Sequence, residues 1–507
     1  MTERDLSLRI KAALADHPAV AAAEVVNAGG ASERNANWLI YIRPTDARLT
    51  GAARELKFSL FYFADAGAGG SDEKYKLYLQ GARFADENEF EAVWTPERHF
   101  HEKGGLYPNP AVLSAALATT TKNIKLRSGS VVLPLHHPLR AAEDWSLVDN
   151  LSNGRVGVSF TSGWVPNDFA VAPTPESFGS KRQIMFRYIR DVQRLWSGEA
   201  IQTKDGVGND VFLRVFPRPI QPSLPIWLTC SGDPAMFERA GELGFNVLTA
   251  LLTHTLDEAA AKIALYRESL ARHGRDPRSG CVTLMLHTFV DEDEDRVRET
   301  VRQPMIEYLK AHLDLTGMMA KGLNLKMDNI DAGDPRWLDS AAAFGFERYY
   351  KTGSMLGTPA KCMKTIERLK EIGVDEVACL IDFGVGVDTV LDGLNRLNDL
   401  RVSANSEAVE AANSLKAFLR ERLPDLEGAI SIRFVEQAPD PSPAGRPGFK
   451  PEAAAALASN FNSQVVELAA PFVAPARTPR LDSLEERVRL QRASAERQSQ
   501  LRRKKSS

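Results

Sequence analysis

The sequence is poor in cysteine and has no long hydrophobic run. Its 507 residues include four cysteines, Cys230, Cys281, Cys362 and Cys379, and no two of them form a C-x-x-C pair. This number and spacing disfavour a disulfide scaffold or a zinc site and indicate a reducing compartment. No apolar stretch reaches the length of about 18 residues that a membrane span needs. The N-terminal MTERDLSLRI also lacks the regions of a signal peptide, so we expect a cytoplasmic protein.

Neither sign of charge dominates the chain. There are 63 Lys and Arg against 66 Asp and Glu, which gives a net charge of -3 and predicts no binding of nucleic acid. The hydrophobic share of 44% is that of a globular protein and excludes a wholly disordered or collagen-like chain. Only the end of the chain departs from this balance, and we predict a basic tail over 467–507 that forms an exposed helix or is disordered.

A dinucleotide-binding glycine motif is also missing. No G-x-G-x-x-G follows the first apolar run, which disfavours the alternative of a doubly wound open sheet. Eight apolar runs alternate with stretches of helical period; the runs lie at 57–63, 91–95, 124–134, 156–160, 226–230, 246–252, 282–290 and 376–383. This alternation predicts an α/β fold, a parallel (β/α)8 TIM barrel over residues 55–402. We expect two insertions, a hairpin or extended segment at 211–225 and a long loop at 311–350 that covers the active site.

Polar clusters follow several of the predicted strands, where barrel active sites lie. The second strand is followed by Glu97, Arg98, His99 and His101, which are either a solvated loop or a catalytic cluster. The third strand contains Gly129, and a glycine inside an apolar strand marks either a packing position or a close approach to a ligand. The adjacent His136 and His137 that follow would point to opposite faces, so we expect capping or packing and no metal site.

Small polar residues follow the fourth and fifth strands. They are Thr161, Ser162 and Gly163 after the fourth strand, and Ser231, Gly232 and Asp233 after the fifth. The second group directly precedes a helix, so its backbone N–H groups can bind an anion, although Ser231 or Asp233 can equally be a simple helix cap. Arg182 on the preceding helix is a candidate for the matching cation. Together these positions suggest a phosphorylated cofactor across the barrel mouth.

The stretch from Glu97 to Trp164 closely resembles the luciferase-like flavin monooxygenases. It contains, in order, an acidic and histidine-rich loop, NP, VVLP, HPLRAAED and LVDNLSNGR. The resemblance extends over 55–402, and the fold of this family is a (β/α)8 barrel. WTPERHFHEKGGLYPNP and SVVLPLHHPLR resemble more closely the mupirocin-type subgroup, which is associated with nonribosomal peptide and polyketide synthases.

The resemblance implies reduced FMN at the C-terminal face of the barrel, supplied by a separate flavin reductase and reacting with O2. It places a non-proline cis peptide at Gly129–Ser130, behind the flavin ring. Thr161, Ser162 and Gly163 would lie beside the ring and the ribityl chain. Ser231, Gly232 and Asp233, with Arg182, would form the phosphate site.

One position departs from bacterial luciferase, where two consecutive histidines follow the acidic residue and the first assists catalysis. Here Arg98 takes the first position and only His99 is kept. A guanidinium cannot act as a base near neutral pH. Arg98 would therefore stabilise a peroxide anion or bind a substrate carboxylate, and His99 or His101 becomes the candidate acid or base.

The two ends of the chain carry a second resemblance. Residues 8–44, with HPAVAAAEVV and WLIYIRP, and residues 415–439 resemble two parts of the small C-terminal subdomain of adenylation domains. This implies a degenerate α+β subdomain built from 1–50 and 403–466, with the barrel inserted between them. We expect it to be structural, because the usual N-G-K pattern of the subdomain is absent.

These observations predict an FMN-dependent monooxygenase acting on an amino-acyl or acyl substrate. The resemblance implies that a carrier protein of a nonribosomal peptide or polyketide synthase holds the substrate, and that the chain forms a homodimer. Two alternatives remain open. One is a deazaflavin-dependent oxidoreductase, and the other is a non-catalytic scaffold that docks synthase partners.

Overall fold

The fold is described from a computed structural model. It covers residues 3–18, 20–27, 37–44, 55–63, 74–101, 105–251, 254–312, 335–423 and 429–434. The predicted tail at 467–507, most of 403–466 beyond residue 423, and the part of the predicted long loop at 313–334 lie outside these ranges. None of the described helices is long and apolar enough to cross a membrane.

Strands and helices alternate through the middle of the described chain. The strands are β1 Val20–Asn27, β2 Asn37–Pro44, β3 Lys57–Phe61, β4 Ala92–Thr95, β5 Lys125–Val132, β6 Val156–Thr161, β7 Ile201–Lys204, β8 Asp210–Leu213, β9 Ile226–Thr229, β10 Asn246–Ala250, β11 Val282–Val290, β12 Met355–Gly357, β13 Glu376–Leu380 and β14 Ala429–Phe434. The helices are α1 Glu3–Ala15, α2 Lys76–Glu87, α3 Pro110–Thr120, α4 Pro138–Ser152, α5 Lys181–Ser197, α6 Pro234–Leu243, α7 Leu256–Arg272, α8 Glu294–His312, α9 Pro335–Thr352, α10 Pro359–Glu371 and α11 Val387–Arg422.

Eight of these strands form a closed parallel barrel. Their order is β3, β4, β5, β6, β9, β10, β11 and β13, and β13 pairs in parallel with β3 to complete the circle. The prediction of a (β/α)8 barrel is confirmed, and each of the eight apolar runs contains one barrel strand. Because both faces of each strand are covered, by the barrel interior and by the surrounding helices, the strands are apolar without alternation.

The interior of the barrel holds a buried ion pair between aromatic rings. The Arg127 guanidinium on β5 contacts the Glu376 carboxylate on β13 and lies over the rings of Trp94 and Trp227. Glu376 also accepts a 2.8 Å hydrogen bond from Trp94 Nε1. Arg127 lies near the first residues of β5, whereas the candidate site lies beyond the last residues of the same strands. The ion pair therefore supports the barrel below the site.

The two ends of the chain share a small sheet outside the barrel. β1 pairs antiparallel with β2, and β2 pairs in parallel with β14. Apolar side chains of α1, β1, β2 and the last turns of α11 form a separate core; its buried members are Ile10, Leu14, Val20, Val25, Ile40, Ile42, Leu415, Leu419 and Leu423. The predicted small α+β subdomain built from both chain ends is therefore present in the fold.

One continuous helix connects the barrel to this subdomain. We expected a separate helix to begin at Ser406, but α11 begins at Val387 and runs unbroken to Arg422. Asn405 binds both backbone groups of Leu56, at 3.0 and 2.9 Å, at the start of the barrel. The predicted boundary at 402/403 thus falls inside a helix that still contacts the barrel at residue 405.

Both predicted insertions differ from expectation. The first is a hairpin formed by β7 and β8, so it begins at Ile201, before the expected segment at 211–225. The second prediction, a loop over 311–350, is wrong at both ends, because α8 extends to His312 and residues 335–350 belong to the helix α9. The buried residues Ala342, Phe346, Tyr349 and Tyr350 lie on one face of that helix. This helical spacing of apolar residues is visible in the sequence, but the Gly- and Asp-rich residues before it made the whole segment resemble a loop.

Candidate active site at the barrel mouth

Glu97 holds together the loops that follow β4 and β5. Its carboxylate is fully buried, and its Oε1 lies 2.6 Å from Nε2 of His136 and 3.0 Å from Nε2 of His99. Its Oε2 accepts a 2.6 Å hydrogen bond from the backbone N–H of Val132. Burial by itself raises the pKa of Glu97, but His136 and these hydrogen bonds outweigh burial and hold the pKa below its usual value. The carboxylate is therefore ionised and serves as an acceptor for both imidazoles.

The two adjacent histidines have different functions. Burial lowers the pKa of His136, but the Glu97 carboxylate outweighs this effect and raises the pKa above its usual value. His136 is therefore a charge partner of Glu97, and the expectation of capping or packing is wrong for it. His137 does cap a helix, because its Nδ1 accepts a 3.3 Å hydrogen bond from the N–H of Leu139 at the start of α4.

Arg98 lies across the barrel mouth. Its guanidinium is 4.8 Å from the ring centre of Trp164, in the loop after β6. Only 7% of the residue is exposed, and Nε is buried without a hydrogen-bond partner among the described residues. Burial lowers the pKa of Arg98 below its usual value, and the nearby Asp168 and Tyr308 oppose this effect only in part. Tyr308 belongs to α8 and reaches the mouth from the opposite side.

The two candidate acid–base residues differ in exposure. His99 is half-buried, contacts Glu97 and packs against the ring of Phe100. His101 is exposed; burial raises the pKa of Asp168, and His101 is one of the neighbouring groups that oppose this rise. His99 is therefore better placed inside the site, while His101 lies at its rim.

The peptide Gly129–Ser130 is cis, as the resemblance implied. A Cβ atom at Gly129 would lie 2.6 Å from the Phe61 ring, so only glycine fits between this strand and the rings beneath it. The register between β5 and β6 shifts between Ser128 and Val131, which turns the strand at this point. The cis peptide therefore lies at the level where the barrel opens.

Three hydroxyl groups from neighbouring strands meet beside this peptide. Ser130 Oγ contacts Thr229 Oγ1, and Thr229 Oγ1 lies 2.8 Å from Ser159 Oγ. They come from β5, β9 and β6, at or near the ends of those strands. The cluster gives the floor of the mouth a polar, hydrogen-bonding patch that was not predicted.

The turn after β6 is half-buried and tightly packed. Thr161, Ser162 and Gly163 all keep part of their surface accessible. Gly163 has φ of 77°, and a Cβ there would lie 2.6 Å from Val132 Cγ1. A side chain at this position would separate the turn from the loop after β5. Glycine thus keeps the Thr161 and Ser162 hydroxyls at the mouth.

The residues of the predicted phosphate site lie around the start of α6. Arg182 Nη1 lies 3.1 Å from Asp233 Oδ2, so the structure brings these two predicted residues together. Asp233 also caps α6, with its Oδ1 accepting from the N–H of Ala235 at 3.1 Å. Ser231 and Gly232 are exposed at the same helix end. A bound phosphate would therefore share Arg182 with a carboxylate.

Several residues at the mouth were missed in the sequence. Asp168 and Trp164 contribute from the loop after β6, and His287 projects from β11 among the rings of Tyr308 and Phe383. A lone histidine inside the apolar run VTLMLHTFV was a usable signal for His287. Asp168 and Trp164 had no such signal, because polar and aromatic residues are common in loops.

Comparison with known proteins identifies the family. The profile described as Luciferase-like monooxygenase matches residues 56–376. The chain belongs to this family. The prediction of a luciferase-like flavin-dependent monooxygenase is thereby confirmed, and the subgroup stays a prediction.

Curated relatives cover the same part of the chain. The oxygenase component of a flavin-dependent trigonelline monooxygenase from Acinetobacter baylyi is 24% identical over 363 residues, 70% of this chain and 96% of that protein. An alkanal monooxygenase alpha chain of Photorhabdus luminescens is 24% identical over 333 residues, 64% of this chain and 89% of that protein.

Solved structures share the fold at low identity. The monooxygenase RslO1 of Streptomyces bottropensis has a TM-score of 0.54 and 23% identity, covering 68% of this chain and 98% of that one. The oxygenating constituent of 3,6-diketocamphane monooxygenase from Pseudomonas putida, in complex with FMN, has a TM-score of 0.54 and 18% identity, covering 69% and 97%. An F420-dependent secondary alcohol dehydrogenase also matches, with a TM-score of 0.50, 17% identity and coverage of 67% and 98%.

Proposed function

We propose that this chain is the oxygenase of a two-component, FMN-dependent monooxygenase system. It uses reduced FMN from a separate reductase, together with O2, to hydroxylate carbon or nitrogen of an amino-acyl or acyl substrate. The observation that carries this proposal is the mouth of the barrel, where Val132 donates its backbone N–H to Glu97 and packs against Gly163, so that the turn Thr161–Gly163 and the Glu97–His99 pair line the same opening. The family match supports the same reaction class.

The residues at the mouth fit FMN. The accessible hydroxyls of Thr161 and Ser162 can bind the polar edge of the ring and the ribityl chain. The N-terminus of α6, with Arg182 beside it, supplies N–H groups and a positive charge for the phosphate. When bound, FMN would supply the reaction with O2, and the protein would position the substrate and exclude water.

Glu97 and His99 are the proposed acid–base pair. An ionised, buried Glu97 fixes the orientation of the His99 ring through the 3.0 Å contact. A histidine held in this way can take up or release a proton near the reacting atoms. Arg98 stays positively charged and stabilises an anion instead.

The substrate and the biological setting rest on the subgroup resemblance. We propose a substrate bound to a carrier protein of a nonribosomal peptide or polyketide synthase, in cytoplasmic natural-product biosynthesis. The three-stranded sheet shared by the two chain ends supports the interpretation of the flanks as one interrupted adenylation-type subdomain. Its buried core supports a structural role.

We also propose a homodimer. Val112 on α3 and Leu147 and Leu151 on α4 are large apolar side chains that are 63%, 49% and 47% exposed. The two helices pack side by side, so these residues can form one surface for a second copy of the chain.

Two assays test the proposal. Fluorescence titration with FMN and separately with F420 distinguishes a flavin enzyme from a deazaflavin enzyme, which has the same barrel fold. Binding of neither would favour the scaffold alternative.

Mass spectrometry of carrier-bound amino acids incubated with protein, FMN, reductase and O2 should show the gain of one oxygen atom. Control reactions without FMN or without O2 should show none.

A further inference from the structure

Two buried groups of opposite charge lie near each other at the barrel mouth without forming an ion pair between them. They are the guanidinium of Arg98 and the carboxyl of Asp168, which are 7% and 5% exposed. Each influences the pKa of the other, so the two groups are close in space. No ion pair within 4.0 Å joins them, although both lie in the described part of the chain.

Neither group is satisfied by the residues around it. Arg98 Nε and Asp168 Oδ1 are both buried without a hydrogen-bond partner among the described residues. A buried charged group without a partner is costly, so such a group is expected to find its partner in a ligand. Two such groups of opposite sign, close enough to influence each other, fit a ligand that offers both an acceptor and a donor.

The surroundings keep the two groups separate and oriented. The ring of Trp164 lies 4.8 Å from the guanidinium and fixes its plane from one side. Tyr308 approaches Arg98 from α8, across the mouth. Asp168 belongs to a short 3-10 helix, Pro166–Val171, whose neighbour Phe169 is packed into a small core with Val132 and Leu135. The packing of Phe169 therefore restrains the position of the neighbouring Asp168.

We propose that Arg98 and Asp168 together bind a substrate group that carries a carboxylate and an ammonium. The carboxylate binds the guanidinium in the bidentate way typical of arginine, and the ammonium donates to the Asp168 carboxylate. Free α-amino acids carry this pair of charges. A carrier-bound amino-acyl group with an acidic side chain carries it too, whereas a neutral acyl chain does not.

This inference rests on the proposed function, because it assigns the substrate of the same site. Burial raises the pKa of Asp168 above its usual value, and Arg98 and His99 oppose this only in part. A ligand ammonium would stabilise the ionised carboxylate further. His101 and Glu97 also act on Asp168, so the site has charges of both signs around it.

The test is a binding measurement on the full-length protein without flavin and without turnover. The twenty protein amino acids are screened by saturation-transfer NMR, and L-aspartyl-pantetheine thioester is used as the carrier-bound mimic. The tightest free amino acid is then compared, by calorimetry, with its α-amide and with the matching 2-hydroxy acid. We expect the affinity of each analogue to be about tenfold lower than that of the amino acid, or lower still, because the analogue lacks one charged hydrogen-bonding group.

Variants assign the two charges to the two residues. Arg98→Met should remove the preference for the acid over the amide, and Asp168→Asn should remove the preference for the amine over the hydroxyl. Arg98→Lys keeps the positive charge and should therefore keep part of the preference for the acid. This variant provides the test if Arg98→Met does not fold. Arg272→Met and Asp210→Asn are matched controls, since both residues form exposed ion pairs elsewhere and should change nothing.

The outcomes separate this inference from the proposed function. If a free amino acid binds more tightly than both its amide and its hydroxy acid, the inference is supported and the substrate is a free amino acid. Binding of the aspartyl thioester alone supports it with a carrier-bound substrate. Equal affinity for the amino acid, its amide and its hydroxy acid, or no binding of any probe, would overturn it. Failure to oxygenate with reduced FMN would overturn the proposed function and leave these binding results unaffected.

Discussion

His136 and Glu97 are joined by a 2.6 Å hydrogen bond from Nε2 to Oε1, although they belong to loops after different barrel strands. The same oxygen also contacts His99, a candidate acid–base residue. One buried carboxylate therefore couples the position of the site histidine to a second imidazole. The stability of the mouth should depend on the charge state of this group.

Replacement of His136 by Asn should destabilise the protein in a pH-dependent way. The raised pKa of His136 means that its contribution is fully present below about pH 6.5 and is lost as pH rises through the folded-state value. The lowered pKa of Glu97 means that its contribution is present above about pH 4.5 and is lost as pH falls through its folded-state value. The loss in unfolding free energy, about 1–3 kcal/mol, should therefore be largest between these limits.

Urea denaturation at about pH 6 and about pH 9 measures this dependence. His137→Asn is the matched control, because asparagine keeps the cap of α4 and His137 does not contact Glu97. An equal loss for His136→Asn at both pH values would show that the charge pair contributes nothing.

Alanine at position 129 should damage the floor of the site. The added Cβ would lie 2.6 Å from the Phe61 ring and 3.2 Å from Trp94, both parts of the barrel core. Overpacking of this kind costs about 1–3 kcal/mol, and the shift of β5 should also weaken FMN binding. Thermal unfolding and FMN fluorescence measure both effects.

Gly206→Ala is the control for this substitution, since no atom of the described part of the chain lies within 4 Å of a Cβ at that position. It should leave both the unfolding temperature and FMN binding close to those of the wild type. If Gly129→Ala behaves like this control, position 129 does not require glycine.

Arg182 and Asp233 should affect FMN affinity in opposite directions. Their 3.1 Å contact means that the carboxylate competes with a bound phosphate for the guanidinium. Arg182→Gln should weaken FMN binding about fivefold, a modest effect because the arginine is exposed. Asp233→Asn should tighten it, because asparagine keeps the helix cap and removes the negative charge. Arg190→Gln, at an exposed position on the same helix, is the control. Equal FMN affinity in Arg182→Gln and Arg190→Gln would place the phosphate elsewhere.

Glu376→Gln should destabilise the barrel without reaching the mouth. Of the ion-pair partners of the buried Arg127 in the described chain, the substitution leaves Glu91, 2.9 Å away. Breaking a buried ion pair costs about 3–5 kcal/mol. Chemical denaturation should show this loss, while Glu371→Gln, at a surface pair on α10, should show almost none. A loss below about 1 kcal/mol would mean that Glu91 alone compensates Arg127.

The barrel could be predicted because its strands are buried on both faces. Runs such as VGVSF and EVACLIDF are mostly apolar without strict alternation, and eight of them alternating with helices, without a G-x-G-x-x-G motif, favour the barrel over the doubly wound sheet. The helix α9 was missed because its apolar spacing, Ala342, Phe346 and Tyr349, follows a segment rich in Gly and Asp. The continuity of α11 was missed because its two halves face different cores, at Leu397 and at Leu415.

The site was predictable only where a motif carried it. Glu97 and Arg98 follow a recognisable strand, Gly129 lies inside one, and the stretch around them resembles a family pattern, from which Arg98 departs. Asp168 and the contact of His136 with Glu97 depend on how three loops fold over one another, which no local pattern encodes. Asp233 both caps a helix and pairs with Arg182, and the second of these contacts depends on the tertiary structure.

The most direct test of the proposed function is the fate of molecular oxygen. The protein is mixed with reduced FMN, isotopically labelled O2 and the tightest-binding amino acid or aminoacyl thioester. The mass of the product is then measured by mass spectrometry. One labelled oxygen atom in the product, absent when FMN or O2 is omitted, is the result we predict. A product that forms without labelled oxygen, or no flavin-dependent product from any substrate of these two classes, would contradict the account.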